Sequence, residues 1–376
     1  MHRTFFPKKI LVCLICGLLC VSYLYGQDRP ASEIDVARCW SYPLNDETES
    51  RIAVDGGHII LGGSGGRVEM LSAEGDKMWS SEFGGAMSSN LLPDTAGLFF
   101  VTSAVKTEGN DVESILHMVS KETGVTIWTL KLPPAESHFL AALNGTIVVV
   151  SKNGVIQSLD TKSGTLKWKR EIADGFVALP VFSTDKLFVA TTKKQVFTIS
   201  LGTGQIESLQ TFPYDTSALS TAGGMLIVGD ERGNVTVLES GIGKPKWKFR
   251  AGAQISAVVG LNDHVLVASH DNFVYFLSLS RGGLVWKKRL TGRTSYISGS
   301  LGPYVLVASL EGHSILYLDP SNGKVSGQIA LKNDEELVSA AVADKVLYTL
   351  TGEAVHAFAP NGCSLLKSGG LGKVAQ

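Results

Sequence analysis

Cysteine is almost missing from most of this 376-residue chain. Of five, Cys13, Cys16 and Cys20 sit in the first 20 residues, leaving only Cys39 and Cys363. That excludes a disulfide-dense small scaffold and a Cys/His zinc framework. Cys13-x-x-Cys16 precedes Gly17 rather than His, which excludes haem attachment. There is no excess of either charge: 34 Lys and Arg stand against 35 Asp and Glu, a net charge of −1. Nothing in that balance would recruit nucleic acid or an anionic membrane surface. Gly62-Gly63-Ser64-Gly65-Gly66 matches Gly-x-Ser-x-Gly in letters only: it joins two strand-like runs instead of opening a helix, so it is a turn, neither a nucleophile elbow nor a phosphate loop. Past residue 26 no segment carries a 3.6-residue apolar period, which argues against helices.

One long apolar run remains, Ile10 to Leu24, behind the basic head Arg3, Lys8 and Lys9. It is short of the roughly 20 residues a spanning helix needs and suits a secretory signal. Residues 1–26 are therefore expected to be a cleaved export signal, leaving no membrane span. Cys20 follows Leu18-Leu19, where lipidation favours small residues, so a lipid anchor is not expected. Residues 27–35 read as a flexible lead-in and 369–376 as a free tail.

What the chain has is glycine, 41 residues of it, and a repeat. A polar turn closing on glycine is followed four residues later by tryptophan at Gly75/Trp79, Gly124/Trp128, Gly164/Trp168, Gly243/Trp247 and Gly282/Trp286. Gly204/Ser208 and Gly323/Gly327 keep the glycine and lose the ring. Trp40 stands one period ahead of Trp79, and Gly362/Leu366 is a last weak copy. From Trp40 to Gly327 the steps are 39, 49, 40, 40, 39, 39 and 41 residues.

Each unit runs through four strands in one order. A strand of small residues comes first, as at Val177-Ala178-Leu179-Pro180-Val181. An apolar strand follows, as at Leu187-Phe188-Val189-Ala190, then a third with paired aliphatics, such as Val155 and Leu159. The tryptophan strand closes the unit. Short strands, glycine turns and a period of about 40 residues mean blades of a propeller. The fold expected is all-β: one domain over residues 36–368, an eight-bladed β-propeller of four-stranded antiparallel blades. The last unit has only three firm strands, so the Trp40 strand is expected to complete it, because a ring cannot leave an open edge. The tryptophans should be nearly buried at equivalent places, and the Ser208 and Gly327 junctions should pack differently.

The marker Asp160-Thr161-Lys162-Ser163-Gly164-Thr165-Leu166-Lys167-Trp168, repeated at Lys121–Trp128 and Arg281–Trp286, resembles the PQQ-like repeat. The resemblance covers about residues 36–366. It implies a propeller whose indoles pack structurally between blades. The family has quinoprotein dehydrogenases on one branch and exported, non-catalytic BamB-like barrel-assembly propellers on the other. The signal, the Cys39-Trp40-Ser41 strand, the repeat number and the turn Gly229-Asp230-Glu231-Arg232-Gly233-Asn234 resemble the second branch. That implies no enzyme activity and no cofactor, a monomer in the periplasm or cell envelope, and protein partners. The alternative is a small-ligand-binding or degenerate quinoprotein propeller.

No chemistry competes with the binding reading. His117, His264, His270, His313 and His356 occupy different places in their units and read as surface or core residues. Asp334-Glu335-Glu336 reads as a solvated inter-blade loop. Ser88, Ala178, Ser217, Ser256, Ser298 and Ser339 align on the first strands, which line the channel of a propeller. The longest unit carries an insertion, Lys106 to Asp111. With Lys152-Asn153, Lys193-Lys194, Glu231-Arg232 and His270-Asp271 it forms a set of second-to-third-strand loop tips, the expected partner-binding face. Cys39 and Cys363, one at each end of the fold, either form a disulfide or remain two unpaired thiols.

Overall fold

The computed structural model describes residues 34–44, 49–105, 112–239, 243–309, 311, 313–331 and 335–367. The signal segment, the Lys106–Asp111 insertion, Asp334 and the tail lie outside the described residues. The chain forms eight antiparallel blades. Seven are continuous, spanning 49–82, 86–132, 138–171, 181–211, 216–250, 255–289 and 294–330. The eighth has Leu337–Ala343, Val346–Thr351 and Ala354–Pro360 from the C-terminal part, with Val36–Pro43 as its outer strand. That strand pairs antiparallel from Val36 opposite Pro360 to Pro43 opposite Ala354. The ring is closed by the Trp40 strand. The weak copy at Gly362/Leu366 is not a strand: Ser364–Lys367 is a single helical turn, because the outer place is already taken.

Burial follows strand position. Second strands such as Thr146–Ser151 are buried at nearly every residue, since both faces meet neighbouring blades, and that explains their unbroken aliphatic runs. Fourth strands alternate between exposed and half-buried residues, as in Leu166–Glu171. The apolar contacts form one cluster per junction. The cluster of Ile147, Val149 and Leu159 with Phe99, Val101 and Leu116, for example, joins the second and third blades.

The glycine and the tryptophan of one marker do not serve the same junction. Each indole reaches forward to the next blade. Trp79 donates its N–H to the Lys121 carbonyl at 2.7 Å, Trp168 to Leu201 at 3.0 Å and Trp286 to Pro320 at 2.7 Å. Trp128, Trp247 and Trp40 make the same bond to Thr161, Leu279 and Ala73. The ring then lies on the next blade's glycine. At Gly204, φ is +69° and a Cβ would stand 2.6 Å from the Trp168 ring, so both the turn and the stacking require glycine. Gly75, Gly124, Gly164, Gly282 and Gly323 face Trp40, Trp79, Trp128, Trp247 and Trp286 in the same way. The polar residues before the glycine hold the turn: the Asp160 carboxylate accepts the Lys162 and Ser163 N–H groups, which holds its pKa down.

The indoles are less buried than expected. Only Trp286 is buried, at 7% exposure; the others are half-buried, because each sits on the outermost strand with one edge to solvent. Trp286 also stacks on Phe276 with ring centroids 4.9 Å apart. Trp286→Ala should therefore cost about 3–5 kcal/mol, the range for removing a large buried aromatic, and the half-buried indoles less. Chemical denaturation measures this. An unchanged midpoint for Trp286→Ala would show that the indoles do not hold the junctions.

Two first strands are interrupted. Val177–Val181 does not form the expected strand. Only Val181–Phe182 pairs, beside an isolated Phe176–Thr191 bridge, since Pro180 has no N–H for the ladder. In the second blade the first strand is split into Ala86–Met87 and Leu92–Pro93. Ser88 and Ser89 bridge the gap: the Ser88 N–H donates to the Val101 carbonyl, and the Ser89 hydroxyl accepts the Val101 N–H.

Candidate functional site

The two interrupted strands open one end of the channel. A cavity of about 650 Å³ there is walled by Ser88, Ser89, Asn90, Ser137 and His138 on one side and by Phe139, Phe176 and the 177–180 segment on another, with Arg51, Lys152, Ser217 and Ser256 completing it. Of the six aligned small residues, Ser88, Ala178, Ser217 and Ser256 are on this wall. Asn90 is committed to structure. Its amide accepts the Leu140 N–H at 2.8 Å and donates to the Leu140 carbonyl at 3.1 Å, in the manner of an extra strand. Ser217 donates to the Ile255 carbonyl. Val177 and Leu179 are exposed at the mouth, Leu179 at 73%.

His138, which the sequence pattern does not single out, is buried in this wall. Its Nδ1 is hydrogen-bonded to the Ser151 hydroxyl at 2.9 Å, and Nε2 has no hydrogen-bond partner. Burial lowers its pKa to about 4, so the ring is neutral. His117 is a core residue of the second blade: hydrogen-bonded to Thr102, stacked on Phe100 with centroids 5.0 Å apart, and likewise lowered to about 4 by burial. His356 is buried too, with Nδ1 2.8 Å from the Ser41 hydroxyl and Nε2 3.5 Å from Glu335. This corrects the reading of the acidic run. Glu336 is exposed, but Glu335 is 4% exposed and faces a histidine 21 positions along the chain.

The candidate loop tips within the described residues share the face onto which the cavity opens. Each is tied to the connection entering its own blade. Lys152 Nζ lies 2.7 Å from Glu136, and Asn153 donates to the Pro134 carbonyl. Lys193 Nζ lies 3.0 Å from Asp174, while Lys194 takes φ +61° at the tip. The Arg232 guanidinium stands 5.8 Å over the Tyr214 ring, beside exposed Glu231. Asp271, next to half-buried His270, accepts the Gly252 N–H at 2.7 Å and the Tyr275 hydroxyl at 2.6 Å. Burial and then this carboxylate push the Tyr275 hydroxyl up to about 12. The face is thus a ring of internally paired polar groups around an apolar mouth. Among the described residues, no group of three or more His, Cys, Asp or Glu side chains could hold a metal ion, and no helix is long and apolar enough to cross a membrane.

Cys39 and Cys363 are bonded, with Cα atoms 5.4 Å apart. Arg38 is opposite Phe358 and Trp40 opposite Ala357, so Cys39 is the extra residue of a bulge, which re-aims its side chain.

Known proteins of the same build bear on this arrangement. The outer membrane protein assembly factor BamB of Yersinia pestis is 24% identical over 318 residues, covering 74% of each chain. That of Moranella endobia (strain PCIT) is 22% identical over 277 residues, 66% of this chain and 71% of the relative. The crystal structure of BamB from Moraxella catarrhalis superposes with a TM-score of 0.70 at 15% identity, covering 88% of this chain and 99% of that one. A crystal structure of the computationally designed Ika8 protein does so at 0.71 and 14% identity, covering 86% and 99%. A shared fold is all that these two superpositions carry, since a designed ring fits as well as a natural one. Residues 112–207 and 211–363, more than half of the chain, match a family in their sequence, and this propeller belongs to that family, the outer membrane protein assembly factor BamB family of PQQ-like repeats.

Proposed function

We propose that the chain works after export as a non-catalytic, monomeric scaffold that binds protein in the cell envelope, in outer membrane protein assembly. Family membership and the signal-like residues 1–26 support export and role. The observation that carries the binding reading is the channel mouth. Leu179, at 73% exposure, stands with Val177 at the mouth, on the face that carries the charged tips Lys152, Lys193, Glu231 and Arg232. An apolar patch inside a charged rim is the anatomy of a protein interface. The rim charges steer and register a partner. The uncommitted surface in the middle supplies the contact. Lys106 and Asp111 belong to the same set of loop tips in sequence.

Affinity capture from envelope extract tests this, with the full chain as bait. Leu179→Asp should lower recovery of partner protein by about tenfold or more, the order expected for one buried aliphatic side chain. Lys193→Glu with Lys194→Glu should lower it severalfold, more strongly at low salt. Unchanged recovery with both variants would sink this face as the binding surface. The 650 Å³ cavity is the one feature that favours a small-ligand reading. Saturable quinone or Ca²⁺ binding with altered absorbance would favour it over the scaffold.

A further inference from the structure

Charge is spread unevenly around this ring. Residues 244–289 hold eight lysines and arginines against two acids, Asp263 and Asp271, in a chain whose net charge is −1. Neither acid is on an outer strand. Asp263 is in the turn between the first two strands of the sixth blade. Asp271 is a loop tip whose carboxylate accepts the Gly252 N–H and the Tyr275 hydroxyl. Six of the eight cations stand on two neighbouring outer strands, Pro245–Arg250 of the fifth blade and Leu284–Arg289 of the sixth.

The third blade shows what such cations do when they serve the ring itself. Its outer strand Leu166–Glu171 also carries three, and all are engaged: Lys167 lies 3.5 Å from Asp160, Lys169 pairs with Glu171, and Arg170 donates to the Gly204 carbonyl at 2.8 Å. In the fifth and sixth blades, Lys246, Lys248, Lys288 and Arg289 have no ion pair or hydrogen bond among the described residues. Arg250 donates only to the Asn234 side chain, at 3.0 Å, and Lys287 stands 5.0 Å over the Phe273 ring. Lysine on an edge strand deters edge-to-edge pairing. Every outer strand of the ring would need that guard equally, yet Val325–Ala330 of the seventh blade carries no charge at all. The cations are also in register. Lys246, Lys248 and Arg250 are exposed and alternate with half-buried Trp247 and Phe249, so they line one face of the strand at intervals of about 7 Å.

We propose that this basic rim docks an acidic, extended segment of a partner protein, with a carboxylate at every second residue meeting Lys246, Lys248 and Arg250. The strand has one neighbour in its blade, so its other edge is open. An extended chain lying along that edge sets its side chains opposite at the same two-residue interval. The track is held rigid, because Trp247 fastens it to the sixth blade through the Leu279 carbonyl. Lys287 and Arg289 stand at the sixth blade's equivalents of Lys248 and Arg250 and carry the positive field onto the next strand. A lipid surface would sense only the summed charge. The two-residue period is a feature that an extended acidic chain reads. Neither strand lines the channel mouth, so this surface goes beyond the loop-face reading and does not rest on it.

The test uses the full chain and a labelled, end-blocked heptapeptide, Thr-Glu-Thr-Glu-Thr-Glu-Thr, read by fluorescence anisotropy. Binding should be saturable and should weaken as salt rises. The isomer Glu-Glu-Glu-Thr-Thr-Thr-Thr has the same charge without the register and should bind severalfold more weakly. Lys246→Glu with Lys248→Glu should weaken the alternating peptide about tenfold or more, the order of two exposed ion pairs turned into repulsions. Thr-Lys-Thr-Lys-Thr-Lys-Thr should then bind that variant, which shows that it is folded. Leu179→Asp at the channel mouth should leave the peptide's affinity unchanged. No saturation up to ~1 mM, equal binding of the two isomers, or undiminished binding by the Lys246→Glu, Lys248→Glu chain would overturn the proposal. So would loss of peptide binding in the Leu179→Asp chain. Vesicles of phosphatidylglycerol and phosphatidylcholine that bind more tightly than the peptide, and are released by the same double substitution, would make a membrane the occupant and overturn it. A dimer of this chain dissociated by that substitution would overturn it as well, since the occupant would be a second copy.

Discussion

Acidification from pH 7 to pH 4 should destabilise the propeller by about 3 kcal/mol for each of two buried histidines. His117 and His138 are each 5% exposed, and burial lowers both to about 4. In the unfolded chain a histidine titrates near 6.5, so the native state binds fewer protons than the unfolded state between these values. The stabilisation is fully present above pH 6.5 and is lost as the pH falls toward 4. Each ring has one nitrogen bonded to a hydroxyl, Thr102 or Ser151, and one without a hydrogen-bond partner. Protonation would add a charge with no carboxylate to meet it. The pair lies in different blades, so the two costs should add. Urea denaturation at a series of pH values reads the effect. His117→Gln with His138→Gln should lower stability at pH 7 and flatten the acid limb. An acid limb of unchanged steepness in the double variant would show that other groups carry it.

The repeat was readable because a propeller reuses one local solution. The Asp160-to-Trp168 marker needs a capped polar turn, a left-handed glycine and an indole at fixed spacing, and those residue types recur wherever the solution does. The forward reach of each indole was not readable, since Gly204 and Trp168 are joined only by the ring's geometry. The same limit hid the paired loop face. Lys193–Asp174 and Arg232–Tyr214 join equivalent positions of successive blades with different chemistry, and in the neighbouring blades the pairing shifts by a residue, to Lys152–Glu136 and Asp271–Gly252. No residue pattern marks a position satisfied by an ion pair in one blade and a ring in the next. Glu335 defeated the rule that charge runs are solvated, because His356 waits for it on a strand the run does not border in sequence. Pro180 is legible in the sequence as a strand breaker, having no N–H for the ladder. The break it makes opens the channel mouth.

Departures from the repeat are met by local substitutes rather than by one shared solution. Pro180 lifts Leu179 out of a strand, Gly327 admits Ile34, and at the Ser208 junction the Gln210 side chain stands over Gly243 in place of an indole. A ring built of identical junctions has no reason to vary them, and each variation costs stability that an indole would have supplied. New surface is exposed at a departure, as at Leu179, whereas the loop tips are paired with the connections entering their own blades.

Reduction of the Cys39–Cys363 bond should cost about 6 kcal/mol in the chain-entropy account, which scales with the logarithm of the loop closed. The cysteines are 324 residues apart, nearly the whole fold, so the bond restricts the unfolded chain as strongly as a single bridge can. The local structure is built to present the two sulfurs. The bulge at Cys39 turns its side chain off the ladder, and the left-handed Asn361 and Gly362, with φ +60° and +96°, swing the chain back after Ala354–Pro360. The Asn361 N–H then donates to the Asp35 carbonyl at 2.7 Å, holding the two ends together. Ring closure does not depend on the bond alone. The seven register pairs from Val36 to Pro43 and the Trp40 indole on Gly75 remain after reduction. The reduced protein should stay folded with a lower denaturation midpoint, and Cys39→Ala with Cys363→Ala should match it and lose all response to reductant. Alkylation of both cysteines in the native protein without reductant would show two free thiols. In that case the last blade is held by its strand pairing and by Trp40, and the midpoint should not move when reductant is added.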